Sequence, residues 1–302
     1  MLDICLLGTG GMLPLPDRFL TAMLARHNGK KLLIDCGEGT QVTMKMLGWG
    51  YKTLDIICLT HYHGDHVTGL PGLLLTLGNA GREEPLTIIG PQGLKRVVDG
   101  LTVVCRDIPF KLELIELPMQ KHQLQVGDFH ISAIPVKHKV PCFGYVIEIK
   151  RNPKFLPEKA LELNIPQKIW KNLQHGETVV LDNQTYTPDM VLGGARDGLK
   201  VGYVTDARPS QDIVMAIENA DLFICEGMYL EEEYLEQVQK YKHMLGSEAA
   251  QMAKEANCKK LWLTHFSPAI PNNALNITSI KKVFENSELG EERKQCLLEF
   301  QD

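Results

Sequence analysis

Short apolar runs separated by glycine, proline and asparagine dominate the first sixty residues. Leu2–Leu7, Leu20–Arg26 and Lys31–Ile34 have the length and composition of strands. Glu38–Leu47 has helical character, and Asp55–Thr60 is an apolar run short enough to be a buried strand. This order predicts strands and helices mixed within one sheet-based fold.

The alternation continues to the C-terminus. Strands of a second sheet are predicted at Leu112–Leu117, Phe129–Val136 and Phe143–Ile149. The remaining predicted strands are Leu86–Gly90, Lys200–Thr205, Asp221–Glu226 and Lys260–Thr264, and the remaining predicted helices are Val67–Leu77, Pro91–Val98, Gln211–Asn219, Glu231–Tyr241 and Ser247–Ala256. Strands that alternate with helices in this way predict an α/β protein.

One polar segment, Arg151–Gly176, interrupts the strand pattern. It contains Pro153, Pro157 and Pro166 and has the length for two short helices. We interpret it as an arm inserted at about residues 151–176 into a single domain of residues 1–302, because no fixed-period repeat or linker is present. Its lysines could bind phosphates or form a solvated polar face, and the charge pattern leaves both open.

Composition and charge limit the class of protein to which the chain can belong. The chain has 302 residues, 44% of them hydrophobic, and a net charge of −5, so no global basic field indicates a nucleic-acid partner, although a local cleft can attract an anion. No run approaches the roughly 18 apolar residues of a membrane helix. Met1–Gly8 lacks a basic region before its apolar stretch, so we interpret Leu2–Leu7 as a core strand rather than a signal peptide and expect a cytoplasmic protein. The eight cysteines form no C-x-x-C pair and are predicted to be buried free thiols.

The densest cluster of candidate ligands follows the predicted strand Asp55–Thr60. His61, His63 and His66 lie within six residues, with Asp65 between them. Imidazole and carboxylate suit a divalent cation, and side chains two residues apart can point the same way. Gly64 would give the chain freedom to turn, so that Asp65 and His66 face a neighbouring position. The motif predicts two adjacent metal sites; a loop of surface histidines is the alternative, which this density disfavours.

Three further candidates end apolar strands elsewhere. His138 follows Phe129–Val136, Asp206 follows a strand that ends at Thr205, and His265 follows Thr264. The carboxyl ends of strands are where α/β proteins gather their chemistry. An aspartate such as Asp206 could bridge two ions.

The Thr-His-x-His-x-Asp-His motif at Thr60–His66, with the later strand-end residues, resembles the metallo-β-lactamase superfamily. Within it, nearly the whole chain resembles the ribonuclease Z family, which trims the 3′ end of precursor tRNA. Segments that carry this resemblance are Leu7–Gly10, Asp35–Gln41, Gly69–Gly72 and Gly90-Pro91. The resemblance implies an αββα sandwich with an inserted arm, a homodimer, and precursor tRNA or another phosphodiester as substrate.

The resemblance also implies two zinc ions per chain, although ligand type alone would permit Mn²⁺ or Fe²⁺. It assigns the ligands in two groups that share Asp206: one ion takes His61, His63 and His138, and the other takes Asp65, His66 and His265.

Proton transfer is the second part of the expected chemistry. Asp65 could ligate one ion and also orient or deprotonate the attacking water. The resemblance implies that Glu226 orients His243, which acts as general acid. The residues alone leave alternatives open: Glu226 could be an ordinary strand-end ion-pair partner, and His243 a helix-cap or surface histidine.

The loop Pro14–Phe19 departs from the family pattern Pro-x-Lys-x-Arg-Asn. Pro16 replaces the lysine and Phe19 the asparagine, while Arg18 is retained. We expect Arg18 to bind substrate phosphate, with a surface salt bridge as the alternative. These departures affect substrate recognition and leave the candidate ligands intact.

Three functions are therefore compared. The first is a zinc-dependent endoribonuclease that removes the 3′ trailer of precursor tRNA. The second is a divergent hydrolase with the same metal core that acts on another phosphodiester or a small substrate. The third is a non-catalytic RNA-binding protein, against which the complete ligand set argues.

Overall fold

The computed structural model describes residues 1–105 and 107–301. The chain divides into two compact units. The first comprises Met1–Glu148 and Lys200–Glu299, and the second comprises Ile149–Leu199 with Phe300 and Gln301. Every candidate site residue lies in the first unit.

The strands are β1 (Leu2–Gly8), β2 (Ala22–His27), β3 (Lys30–Ile34), β4 (Leu54–Cys58), β5 (Leu86–Pro91), β6 (Leu112–Leu117), β7 (His122–Val126), β8 (Phe129–Pro135), β9 (Phe143–Arg151), β10 (Val179–Leu181), β11 (Gln184–Tyr186), β12 (Arg196–Val204), β13 (Leu222–Glu226), β14 (Leu261–Thr264), β15 (Ser287–Leu289) and β16 (Gln295–Leu298). The α-helices are α1 (Thr40–Leu47), α2 (Gly64–Val67), α3 (Leu70–Asn79), α4 (Leu94–Leu101), α5 (Pro157–Glu162), α6 (Trp170–Gln174), α7 (Gln211–Ala216), α8 (Leu235–Tyr241), α9 (Gly246–Glu255) and α10 (Thr278–Val283).

The first large sheet has the strand order β16-β1-β2-β3-β4-β5-β6. Its strands β3 to β6 run parallel, whereas β1 pairs antiparallel with β2 and β16. The prediction that Leu112–Leu117 belongs to the second sheet was wrong. This segment is β6, which pairs in parallel with β5 because α4 returns the chain to the same sheet edge.

The second large sheet has the order β15-β14-β13-β12-β9-β8-β7. Strands β12 to β15 run parallel, so their carboxyl ends meet at one edge. The hairpin strand β7 was not predicted from the sequence; it pairs with β8 through a tight turn at Gly127.

The central strands of each sheet are buried on both faces. Alternate residues of β1 to β5 pack with α1, α3 and α4, while those of β8, β9 and β12 to β14 pack with α7 and α9. The intervening residues, such as Ile4, Tyr145 and Tyr203, are also fully buried, and side chains alternate between the faces of a strand. Tyr145 Oη donates a hydrogen bond to the carbonyl of Leu59 at 2.8 Å, which joins the two sheets. The layers are therefore helix, sheet, sheet, helix.

One predicted helix, Val67–Leu77, is two helices in the structure. The break falls at Gly69, where a Cβ atom would lie 2.0 Å from the carbonyl oxygen of Gly37. Pro71 lies in the first turn of α3 and so begins a helix rather than kinking one.

The second unit has its own small core and contains the predicted arm. Helices α5 and α6 and the hairpin β10–β11 surround apolar side chains, which include Ala160, Ile165, Leu173 and Val191. The unit extends beyond the predicted boundary of 151–176 to Leu199. The eight cysteines are free thiols, seven of them buried. Among the described residues, no helix is long and apolar enough to cross a membrane.

Candidate metal centre

Three site residues leave their strands with the same backbone conformation. Asp35 follows β3, Asp206 follows β12 and His265 follows β14, with φ values of 59°, 51° and 57°. A residue other than glycine is uncommon in this left-handed region, and such residues gather at functional sites. The turn redirects each side chain away from the strand at the sheet edge.

The first group of donors brings together His61, His63, His138 and Asp206, whose ligand atoms all lie within 4.8 Å of one another. His63 Nδ1 lies 2.9 Å from His61 Nε2 and 3.3 Å from His138 Nε2. Asp206 Oδ1 lies 3.9 Å from His61 Nε2 and 3.8 Å from His138 Nε2. These four side chains therefore face one common point.

The second group contains Asp65, His66 and His265. The Nε2 atoms of His66 and His265 are 3.2 Å apart, and Asp65 Oδ2 lies 3.6 and 3.5 Å from them. Asp206 Oδ2 lies 3.0 Å from His66 Nε2 and 3.1 Å from His265 Nε2. Asp206 thus presents one oxygen to each group, and the structure brings all seven predicted ligands together.

The chemistry of these donors fits divalent cations. Ligand nitrogens about 2.0 Å from a tetrahedral zinc ion would be about 3.3 Å apart, close to the 2.9–3.3 Å between the imidazole nitrogens of His61, His63 and His138. Asp206 Oδ2 is buried and accepts no hydrogen bond from a described residue, although two imidazole nitrogens lie beside it. Acceptor atoms that converge in this way suit a cation placed between them.

The surroundings of most donors favour the ionisation state that binds a metal ion, which is neutral for histidine and negative for aspartate. Burial and the neighbouring His66 hold the pKa of His61 well below its usual value, and burial lowers the pKa of His138 to about 4. Burial opposes ionisation of Asp206, but the surrounding His265 and His66 hold its pKa well below its usual value. His66 behaves differently: burial lowers its pKa, but Asp206 and Asp35 raise it well above normal. Metal binding must therefore displace a proton from His66.

Asp35 is a site residue whose role the sequence analysis missed. Its side chain is fully buried; Oδ1 accepts a hydrogen bond from Thr60 N at 2.8 Å, and Oδ2 lies 2.8 Å from His66 Nδ1. A carboxylate behind an imidazole fixes the tautomer, so that Nε2 is free to ligate. The signal was available, because Asp35 ends an apolar strand as Asp206 does.

Backbone groups orient two further donors. The amide of Met12 donates to Asp65 Oδ2 at 2.7 Å, and the carbonyl of Lys242 lies 3.2 Å from His138 Nδ1. Gly11 lies against His265, because a Cβ atom at Gly11 would be 2.6 Å from His265 Cε1. The loop that follows β1 therefore supports Asp65 and His265 without supplying a ligand.

Glu226 and His243 form an ion pair beside the donors. Glu226 is fully buried; Oε1 accepts from Ala207 N at 2.6 Å, and Oε2 lies 2.9 Å from His243 Nδ1. Burial alone would lower the pKa of His243, but Glu226, with Asp206 and Asp65, raises it to about 9. Glu226 therefore holds Nδ1 of His243 and stabilises the protonated imidazole beside the donors.

Arg208 holds the backbone of His243. Its Nη1 donates to the carbonyl of His243 at 2.6 Å and to Glu248 Oε2 at 2.9 Å. Glu248 Oε2 also accepts from Leu245 N at 2.9 Å at the start of α9. The segment that carries His243 is thus fixed at both ends.

Arg18 does not lie where the sequence analysis placed it. Its side chain is 1% exposed, and its guanidinium donates to the carbonyls of Ser267 and Ile270 at 3.0 and 2.8 Å. Nε also donates to Asn272 Oδ1 at 2.7 Å. The prediction that Arg18 binds phosphate is corrected, because these contacts use the guanidinium to join two loops inside the fold.

Gly64 also differs from the expectation. It is the first residue of α2, its φ lies outside the left-handed region, and a Cβ atom there would come no closer than 3.6 Å to Thr68 Cγ2. The motif turns by entering a helix at Gly64, so a glycine is not needed there. Tyr62 donates to the carbonyl of Pro91 and belongs to the packing behind the site.

Solved structures resemble this fold over almost its whole length. Human tRNase Z, short form, matches with a TM-score of 0.71 and 22% identity, covering 99% of this chain and 100% of that one. The metallo-beta-lactamase fold protein YhfI from Bacillus subtilis matches with a TM-score of 0.70 and 20% identity, covering 98% and 100%. The fold and the donor set define the class: a protein of the metallo-β-lactamase αββα fold whose converging donors could hold metal ions.

Relatives of much higher identity identify the family. A protein named Ribonuclease Z from Agathobacter rectalis is 52% identical over 302 residues, all of both chains, and one from Clostridium acetobutylicum is 50% identical over 308 residues, again all of both. The family model described as "Anti-Pycsar protein Apyc1" matches residues 2–184. The chain belongs to the ribonuclease Z family and, over residues 2–184, to the family that this model describes.

Proposed function

We propose that this protein is a two-zinc endoribonuclease that removes the 3′ trailer of precursor tRNA. The observation that carries the proposal is the set of seven converging donors with His243, held by Glu226, beside them. The Ribonuclease Z names of relatives at about 50% identity over the full chain support tRNA as the substrate.

His61, His63 and His138 would hold one ion, Asp65, His66 and His265 would hold the other, and Asp206 would bridge them. Two divalent cations bound there supply an activated water and stabilise the charge that develops on a phosphodiester. Imidazole-rich donors favour zinc over magnesium, while Mn²⁺ and Fe²⁺ fit the same ligand types. Elemental analysis of the purified protein distinguishes them.

Side chains of the protein carry out the two proton transfers of the reaction. Asp65, oriented by the amide of Met12, accepts a proton from the attacking water. Glu226 holds Nδ1–H of His243, so Nε2 is the nitrogen that donates a proton to the departing 3′-oxygen of the RNA. His61, His66, Asp206 and His265 are buried, which shields these donors from bulk water.

Replacing His243 by alanine tests its proposed role as proton donor. We expect the His243→Ala variant to keep its bound metal, because His243 is not one of the seven donors, and to lose cleavage of precursor tRNA by about 10²–10⁴-fold. Metal content and single-turnover cleavage are the two measurements. His122→Ala is the matched control, because His122 Nε2 bonds the carbonyl of Pro118 away from the donors. Unchanged cleavage in His243→Ala would remove this residue from the mechanism.

A second candidate is hydrolysis of another phosphodiester by the same centre. It is favoured by the loop Pro14–Phe19, where Arg18 is buried and proline replaces the family's lysine. Turnover of bis(p-nitrophenyl) phosphate by a metal-loaded protein that leaves precursor tRNA intact would support this candidate. RNA binding with fewer than about one tightly bound ion per chain would instead support a non-catalytic role.

The homodimer stays a prediction. Light scattering of the purified protein tests it directly, because a dimer has about twice the chain mass of 33.9 kDa.

A further inference from the structure

The loop that follows β1 provides little positive charge near the metal donors. Pro16 stands where the resembling family has lysine, Asp17 is exposed, and the guanidinium of Arg18 is buried by its contacts with Ser267 and Ile270. An RNA backbone next to the site still carries one negative charge per nucleotide, and cations dominate affinity for it. The protein therefore needs cations on another wall of the site.

A cavity of about 540 Å³ adjoins the donors and supplies such a wall. The residues that line the cavity include His63, His138 and His243 and also Lys139 and Tyr241. Lys139 follows the ligand His138 by one residue, and Tyr241 ends α8 two residues before His243. Lys139 and Tyr241 therefore lie within two residues of His138 and His243, respectively.

Lys139 is held over the ring of Tyr241. Its ammonium Nζ lies 4.3 Å from the ring centroid, and Nζ of Lys240 lies 5.5 Å from the same centroid. Tyr241 is 43% exposed, so the pair stands at the solvent side of the cavity. An aromatic face attracts an ammonium without neutralising it, whereas a carboxylate would cancel its charge.

Four exposed lysines lie next in sequence to a residue that lines the cavity or line it themselves, and none forms an ion pair with a described carboxylate: Lys137, Lys139, Lys240 and Lys242. The backbone fixes them relative to the donors. The carbonyl of Lys242 lies 3.2 Å from His138 Nδ1, and the carbonyl of Lys137 accepts from Arg208 N at 3.1 Å. The backbone next to the cavity is therefore fixed relative to the donors and carries exposed lysines on a chain of net charge −5.

We propose that Lys139, held by Tyr241, binds a backbone phosphate of the RNA next to the scissile one, in place of the cation that the loop Pro14–Phe19 lacks. This inference rests on the proposed function, because it names the residue that recognises the polyanionic substrate. The contact adds affinity and leaves the chemical step unchanged, since the ammonium of Lys139 lies over Tyr241 and Lys139 is neither a metal donor nor the partner of His243.

The test compares Lys139→Gln with Lys254→Gln, a matched exposed lysine in the last turn of α9. For Lys139→Gln we expect KM for precursor tRNA to rise about fivefold to tenfold with kcat within about twofold. We also expect the slope of log(kcat/KM) against log(salt) to become shallower by about 0.7, as for one lost phosphate contact to a single strand. Turnover of bis(p-nitrophenyl) phosphate stays at the wild-type value, and Lys254→Gln matches wild type throughout.

Tyr241 is tested with two variants. Tyr241→Phe keeps the aromatic face and should match wild type, whereas Tyr241→Leu should raise KM in the same direction as Lys139→Gln. Equal KM and salt slope in Lys139→Gln and wild type would overturn the inference. A loss of kcat on both substrates in Lys139→Gln would also overturn it, because that result indicates a structural role.

An RNA-binding measurement distinguishes failure of this inference from failure of the proposed function. If the wild type leaves precursor tRNA intact, the affinity of RNA for wild type and Lys139→Gln, measured by fluorescence anisotropy at two salt concentrations, still tests the phosphate contact. A weaker, less salt-dependent complex in the variant supports the contact, and identical affinities overturn it.

Discussion

At the residue scale, the groups behind the imidazoles decide how the donors are presented. Asp35 Oδ2 lies 2.8 Å from His66 Nδ1, the carbonyl of Lys242 lies 3.2 Å from His138 Nδ1, and Met12 N donates to Asp65. None of these groups belongs to the seven donors, yet each fixes the orientation of one of them.

We expect Asp35→Asn to weaken metal binding about 10–100-fold, because an amide cannot replace the carboxylate that receives both Thr60 N and His66 Nδ1–H. Competition with a chromophoric chelator measures the affinity. Asp128→Asn, an exposed aspartate, is the control. Equal competition curves for Asp35→Asn and wild type would show that Asp35 does not support the site.

A second buried carboxylate, Glu292, predicts how stability depends on pH. Its Oε1 accepts from Thr9 N and Thr9 Oγ1 at 3.1 and 3.0 Å, while Oε2 is buried without a hydrogen-bond partner among the described residues. Burial raises the pKa of Glu292 to about 7. The folded protein therefore holds this proton more tightly than the unfolded chain does.

Because the folded pKa lies above the unfolded value of about 4.3, the stabilisation is full below that pH and is lost as the pH rises through about 7. Glu292→Gln removes this dependence. We expect the free energy of unfolding of wild type, relative to Glu292→Gln, to fall by roughly 2.5 kcal/mol between pH 5 and pH 8. Urea unfolding at both pH values measures it; parallel pH dependence in the two proteins would contradict the assignment.

At the element scale, the site is assembled from turns that leave strands. Strand-end residues His138, Asp206 and His265 were predicted because each follows an apolar run directly, and the structure brings them to the same place. The strands before Asp206 and His265 run parallel in one sheet, so their carboxyl ends share an edge. Periodicity along the chain predicts such elements, but it does not predict the left-handed turns of Asp206 and His265, which depend on the assembled edge.

Gly11, in the loop after β1, lies against His265, and local sequence does not reveal this contact. We expect Gly11→Ala to reduce metal occupancy of the group that contains His265 to about half or less, because the new Cβ would lie 2.6 Å from His265 Cε1 and forces the ring aside. Metal content per chain after dialysis against metal-free buffer measures it. Gly64→Ala is the control, since its Cβ meets no atom closer than 3.6 Å, and it should keep full occupancy. Equal loss in both variants would contradict this geometry.

At the scale of the whole molecule, the ligands span positions 61 to 265 and come together only because two sheets pack face to face. The sequence motif predicted four of them directly, and the resemblance supplied their grouping. Arg18 was misplaced because its partners Ser267 and Ile270 lie about 250 residues away, at separations of 249 and 252. No local pattern reveals a contact of that range.

The prediction that β6 belongs to the second sheet was wrong for a related reason. An apolar run of six residues predicts a strand, but its partner depends on which edge is free when α4 returns the chain. The single-domain reading of residues 1–302 stays a prediction beside the two compact units.

Cleavage of a precursor tRNA by the metal-loaded protein tests the central claim most directly, with the 3′ ends of the products mapped at single-nucleotide resolution. The two-metal account predicts one internal cut that releases the intact trailer, loss of cleavage with a chelator, and recovery on adding zinc. An intact precursor after incubation with a folded protein that holds two ions per chain would contradict it, as would stepwise shortening from the 3′ end.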